Sequence, residues 1–176
     1  MSALARLYSV QKPPTGKLSI LSHPRGGDWL NDEMKAFSYE SVDVMVSLLT
    51  PGEVAELALQ DEAEVCQGHG IIYRSYPIPD HHVPLWSPQT FALFEELRAY
   101  LEQGKHVAVH CWMGLGRSAL VAASVLVLSG FTPERACKML SDARGYQVPE
   151  TKEQRAWVKA LPQRYQEYLH AQDDAL

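Results

Sequence analysis

The run His110-Cys111-Trp112-Met113-Gly114-Leu115-Gly116-Arg117-Ser118 restricts this chain more than any other part of it. Before it lies a short apolar stretch, residues 107–109, with the character of a buried strand. After it, residues 118–128 are apolar nearly all round, as in a helix packed at the centre of a domain. A strand end, a cysteine, five residues, an arginine and a helix start put a tight loop at the mouth of a helix. The backbone N–H groups of Trp112 through Arg117 can then converge on one point, where the helix N-terminus adds partial positive charge. Gly114 and Gly116 suit a loop that must turn sharply, through positive φ if needed, and approach a ligand without a side chain between. Met113 and Leu115 are expected to direct their side chains away. Such a loop is a cradle for a phosphate dianion.

The rest of the chain supplies alternating strands and helices around this loop. Residues 17–21 predict a short strand, and residues 28–39 a helix after the Gly26-Gly27 turn. Residues 42–49 (VDVMVSLL) predict a clear strand, and Thr50-Pro51 caps and starts a helix running through Glu64. Strand character resumes over 71–78. Residues 77–88 (PIPDHHVPLWSP) carry four prolines and predict an ordered loop. Residues 89–103 place Phe91, Phe94, Leu97 and Leu101 at helical spacing, with Gly104 ending the element. A capped helix is expected from Thr132 to Arg144, and a last one from Pro149-Glu150 toward His170. Strands separated by helices predict an α/β fold with a central, mostly parallel sheet covered on both faces, whose sites form at the carboxyl ends of the strands. Cys111 stands at such an end. With 176 residues one domain is expected, residues 17–176, behind an N-terminal extension, residues 1–16, loosely ordered or packed on it.

Charge and cysteine content bear on partners and setting. A formal net charge of -5 argues against a general nucleic-acid binder, so phosphate recognition must be local to the loop. Cys66, Cys111 and Cys137 are too few and too irregularly spaced for a disulfide framework or a metal cluster, which fits a reducing, cytoplasmic setting with access to the nucleus. Residues 1–14 lack the apolar core of an export signal, and residues 119–128, the longest apolar stretch, fall short of the roughly 20 residues that span a bilayer.

In the field of the cradle the Cys111 thiol is expected to ionise readily, since a cysteine pKa of roughly 8.5 falls to about 3.5–7.5 near helix N-termini. Arg117 offers a planar fork for two phosphoryl oxygens. Ser118 can donate to the sulfur when it leaves, and His110 can order the loop through hydrogen bonds. A displaced alkoxide or phenoxide needs a proton from another segment, and Asp80, in the proline-stiffened loop, is the candidate. A plain turn role for Asp80 is the competing reading. His81 and His82 are read as a solvated rim, Cys66 and Cys137 as small core residues, with an oxidative disulfide to Cys111 as the competing reading, and Trp112 and Trp86 as either pocket walls or core.

The nine residues from His110 to Ser118 resemble the HCxxGxxRS-type signature of the protein tyrosine phosphatase superfamily, and the short, dual-specificity branch fits best. Ile78-Pro79-Asp80 is similar to the acid loop of that family. The resemblance implies a cysteine-based, metal-independent phosphatase with no cofactor, acting on a phosphorylated protein or peptide through a cysteinyl-phosphate intermediate. It assigns the nucleophile to Cys111, phosphate binding to Arg117 and the loop amides of Trp112, Met113, Gly114, Leu115 and Gly116, the general acid to Asp80 and thiolate support to Ser118. Gln154, in the segment that opens the last helix, resembles a glutamine that some relatives present to the hydrolytic water; a surface glutamine is the plain alternative. Three other functions compete. A phosphoinositide, inositol phosphate or RNA 5′-phosphate substrate is disfavoured by the neutral W-M-G-L-G loop. Rhodanese-type sulfur transfer is disfavoured by the five-residue gap between cysteine and arginine. A phosphoprotein-binding module without turnover is disfavoured by the joint presence of Cys111, Arg117 and Asp80.

Overall fold

The computed structural model describes residues 4–10 and 15–176. Five strands form one sheet: β1 (Tyr8–Ser9), β2 (Lys17–Leu21), β3 (Val44–Ser47), β4 (Ile72–Ser75) and β5 (His106–His110), in the order β1-β2-β5-β3-β4. β2, β5, β3 and β4 run parallel, and β1 pairs antiparallel at the edge through Tyr8↔Ile20 and Ser9↔Ser19. The predicted α/β class with a mostly parallel, doubly covered sheet is therefore the observed one. Of the expected extension 1–16, residues 8–9 join the sheet, while 1–3 and 11–14 lie outside the described residues.

Alternation along the strands divides the core in two. Leu18 and Ile20 of β2, Val44 and Val46 of β3, and Val107 and Val109 of β5 face four helices: α4 (Pro88–Glu102), α5 (Arg117–Leu128), α6 (Pro133–Arg144) and α7 (Lys152–Asp174). Met45 and Ala108 face the other way, against α1 (Leu30–Tyr39) and α3 (Glu62–Gly68). α5 is central and packs against α4, α6, α7, β2 and β5, which explains why its sequence is apolar on every side. No helix among the described residues is long and apolar enough to cross a membrane.

One predicted helix is two. The segment after Thr50 forms α2 (Pro51–Glu56) and then, after a break, α3; Ala58 in the break takes a positive φ of 53°. Two things end α2 early. Gly26 presses so closely on the break that a Cβ there would come within 2.0 Å of the Leu57 carbonyl oxygen, and the Gly27 N–H bonds the Ala58 carbonyl. The break also drops Leu59 into the second core cluster, where it is 1% exposed. Elsewhere the differences are small. A 3-10 turn, Gly27–Trp29, precedes α1, β5 is longer at both ends than predicted, and α7 begins at Lys152 behind the Thr151 capping box.

Candidate active site

β5 delivers Cys111 to the carboxyl edge of the sheet, and α5 begins at Arg117. Gly116 occupies the helix N-cap and no side chain caps the first turn, so the opening amides are left facing the loop. Gly114 has φ 72°, and a Cβ there would meet the Leu21 backbone at 2.7 Å, so glycine is demanded twice over. Gly116 differs from expectation. Its φ of -106° is ordinary, and its constraint is the close approach of Gln154, whose side-chain amide would lie 2.9 Å from an added Cβ. Met113 is exposed, as its expected outward direction requires, and Leu115 packs against the main core.

Cys111 Sγ and Ser118 Oγ are hydrogen-bonded at 3.3 Å, and Ser118 is buried. A cavity of about 100 Å³ opens over them, lined by Cys111, Trp112, Arg117, Asp80, His81 and Glu150 among others, with room for one phosphoryl group or a few waters. Arg117 is 1% exposed and forked on Glu53: Nη1 donates to Oε2 and Nη2 to Oε1, each at 2.8 Å. Nη1 also donates to the Ile78 carbonyl at 2.8 Å, and Nη2 lies 3.3 Å from Asp80 Oδ1. Nε is buried without a partner among the described residues. Burial pushes the Arg117 guanidinium toward deprotonation, but its bond to Glu53 and the charges of Cys111, Glu53 and Asp80 outweigh that and raise its pKa. For Glu53 burial acts upward, while the Arg117 and Thr50 hydrogen bonds bring it below the usual carboxylate range.

Asp80 reaches the cavity from the proline-rich loop, its side chain 58% exposed, and Oδ1 accepts from the His81 N–H at 2.9 Å. His81 has φ 61°, its ring lies 3.4 Å from Asp80 and 3.8 Å from Glu150, and its side chain is 64% exposed, so it forms part of a solvated rim at the mouth. The loop is braced along its length. The Ile78 N–H donates to Leu48, Gln154 Nε2 to the His82 carbonyl at 3.4 Å, Trp157 Nε1 to the Pro84 carbonyl at 3.1 Å, and Thr90 Oγ1 to the Leu85 carbonyl at 2.7 Å.

Cys111, Arg117, Ser118, Asp80 and Trp112 are thus brought to one cavity or its floor. Gln154 is fully buried, not the surface residue of the plain alternative, because its side chain closes the α7 capping box, donates to the His82 carbonyl and lies 2.9 Å from where a Gly116 Cβ would be. Trp86 lies outside the cavity lining: it stacks on Trp157 with ring centroids 3.9 Å apart. His110 is buried and bonds Glu62 Oε1 at 2.7 Å. All three cysteines are free; Cys66 is buried in the opposite cluster with its thiol on Met34 Sδ, and Cys137 packs at the border of the main core. Two acids were missed in the sequence, Glu53 and Glu62. Glu53 carries a local signal, since Thr50-Pro51-Gly52-Glu53 reads as a capping box, but that signal says nothing of Arg117.

Comparison with known proteins bears on the family and the fold. The family model for cyclin-dependent kinase inhibitor 3 matches residues 28–137. Cyclin-dependent kinase inhibitor 3 of Mus musculus is 29% identical over 143 residues, which are 81% of this chain and 66% of the mouse protein. The chain therefore spans a little under two thirds of that relative's length. Among solved structures, kinase associated phosphatase with its catalytic-site cysteine changed to serine superposes with a TM-score of 0.83 at 21% identity, over 93% of this chain and 97% of that one. The active form of Tk-PTP gives a TM-score of 0.72 at 24% identity, over 93% and 99%.

Proposed function

The chain belongs to the cyclin-dependent kinase inhibitor 3 family, and from that premise we propose that it is a metal-independent cysteine phosphatase of the dual-specificity kind, acting on phosphorylated proteins. One observation carries the reading. A buried arginine held in register by Glu53, with Nε still unpartnered, shares a phosphoryl-sized cavity with Cys111 and Asp80. A phosphate entering the cavity meets that guanidinium and the uncapped first turn of α5.

In the proposed cycle the Cys111 sulfur attacks phosphorus, forming the S–P bond as the P–O bond to the substrate breaks. Asp80 gives its proton to the departing oxygen. Water then attacks the phosphocysteine and loses a proton to Asp80, and the sulfur leaves with the Ser118 hydroxyl donating to it. Arg117 holds the equatorial oxygens throughout, where charge builds up. Orientation of the water is assigned to Gln154, a reading supported by its packing beside Gly116 and its bond to the His82 carbonyl.

A phosphorylated side chain suits the surroundings better than a polyanionic lipid or inositol phosphate. The loop between Cys111 and Arg117 carries no basic residue, and the mouth bears the carboxylates of Asp80 and Glu150. The free cysteines support a reducing, cytoplasmic setting. The test is hydrolysis of p-nitrophenyl phosphate and of a phosphotyrosine, phosphoserine and phosphothreonine peptide panel with chelator present. Turnover is expected in the parent protein and none in Cys111→Ser, while Asp80→Asn slows alkyl phosphates more than aryl ones, by about 10²–10⁴-fold. Undiminished turnover in Cys111→Ser would refute the mechanism.

A further inference from the structure

Under the sheet, on the side of α1 and α3, a carboxylate is buried where the proposed chemistry does not use it. Glu62 is 0% exposed and opens α3. Its Oε1 bonds His110 Nε2 at 2.7 Å, and its Oε2 has no partner among the described residues. Among the described residues no lysine or arginine pairs with it. The other ionisable groups facing it are Cys66, one turn along α3, and Tyr73 of β4. Burial and then the nearby Glu62 charge push each of them up to about 12. Leu59, Met45 and Ile71 belong to the buried cluster on this side of the sheet, and the Ser47 and Ser75 hydroxyls lie by Tyr73.

A half-satisfied carboxylate in such a place is costly, and an apolar side chain of similar volume is often neutral or stabilising in its stead. Stability therefore does not explain an acid at position 62. Its contact does: His110 is the last residue of β5 and immediately precedes Cys111, and its other ring nitrogen, Nδ1, lies 3.4 Å from the Cys111 carbonyl. The imidazole is thus held from below by Glu62 and meets the loop backbone from above.

We propose that Glu62 is a positioning residue for the phosphate loop, acting through His110 to set the backbone at Cys111 and so the direction of its sulfur and of the first amides of the cradle. The inference rests on the phosphate-binding reading of that loop. It extends the site across the sheet to α3, an element that contributes no group to the cavity itself.

Two quantities read it out: the dissociation constant of inorganic phosphate by calorimetry, and kcat for p-nitrophenyl phosphate. Glu62→Leu is expected to weaken phosphate binding and lower kcat by about 10–100-fold each. Glu62→Gln keeps an oxygen that accepts from Nε2, so both values should stay within about threefold of the parent. Leu59→Ala, from the same cluster, should lower Tm and leave both values within about threefold. If Glu62→Leu fails to fold, Glu62→Asp takes its place: one methylene shorter, it keeps the carboxylate but not the reach, and the same losses are expected. Losses in Glu62→Leu or Glu62→Asp no larger than those in Leu59→Ala overturn the proposal, as does a Glu62→Gln protein as impaired as Glu62→Leu. A parent protein that binds phosphate without turnover contradicts the phosphatase reading alone, and the calorimetric comparison still decides the role of Glu62.

Discussion

Arg117 is a fixed charge made by three other residues. Glu53 grips both terminal nitrogens, Ile78 supplies a carbonyl, and Asp80 stands 3.3 Å off, so the guanidinium plane has one orientation before any substrate arrives. Glu53→Gln keeps one acceptor and turns the other into a donor facing a donor. Loss of about 1–3 kcal/mol of stability is expected from that mismatch in a buried pair, with KM for aryl phosphates raised about 10-fold, measured by thermal melts and steady-state kinetics. The pH dependence has a definite sign. A carboxylate whose folded pKa is depressed stabilises the fold fully above its ordinary value, and the contribution is lost as pH falls through the depressed one. The parent should therefore lose stability on acidification below the ordinary glutamate range more steeply than Glu53→Gln does. Neither Glu53 nor Glu62 is legible as a partner in the sequence. Each is an ordinary polar residue near a helix start, 64 or 48 positions from the residue it grips. Cys111, Arg117 and Ser118 are legible because the chemistry of the loop is compressed into nine contiguous residues.

At the scale of elements, α7 joins the two loops that meet at the cavity. From one face of that helix Gln154 donates to the His82 carbonyl and fills the space where a Gly116 side chain would go, and one turn later Trp157 holds the Pro84 carbonyl and stacks on Trp86. This packing adds to the four prolines, from which an ordered loop was expected, in setting the segment that carries Asp80. Trp157→Phe removes the N–H donor and keeps an aromatic surface for Trp86. About 1 kcal/mol of stability should be lost, with a larger fall in kcat for alkyl than for aryl phosphates, because Asp80 as the proposed acid matters most when the leaving group is poor. An equal fall for both classes would show that the brace serves the fold and not the acid. The break between α2 and α3 was hidden for a related reason. Helical propensity and the Thr50 cap favour one long helix, and only the pressure of Gly26 from a distant turn and the burial of Leu59 end it early.

For the molecule as a whole, the sheet order β1-β2-β5-β3-β4 puts β5 in the middle with β2 and β3 on either side, so the loop after it is flanked by the ends of both neighbours. The parallel class and the place of Cys111 at a strand end were legible from the alternation of strand and helix. The antiparallel edge at Tyr8–Ser9 was not, since two residues carry no periodicity. Every step of the proposed chemistry passes through one covalent species on the sulfur at that central strand end. Rapid acid quench during turnover of p-nitrophenyl phosphate, followed by peptide mapping under conditions that preserve S–P bonds, looks for it directly. Phosphate found on the peptide containing Cys111, and absent from it in Cys111→Ser, is the expected result; turnover with the phosphoryl group on another residue, or on none, would contradict it.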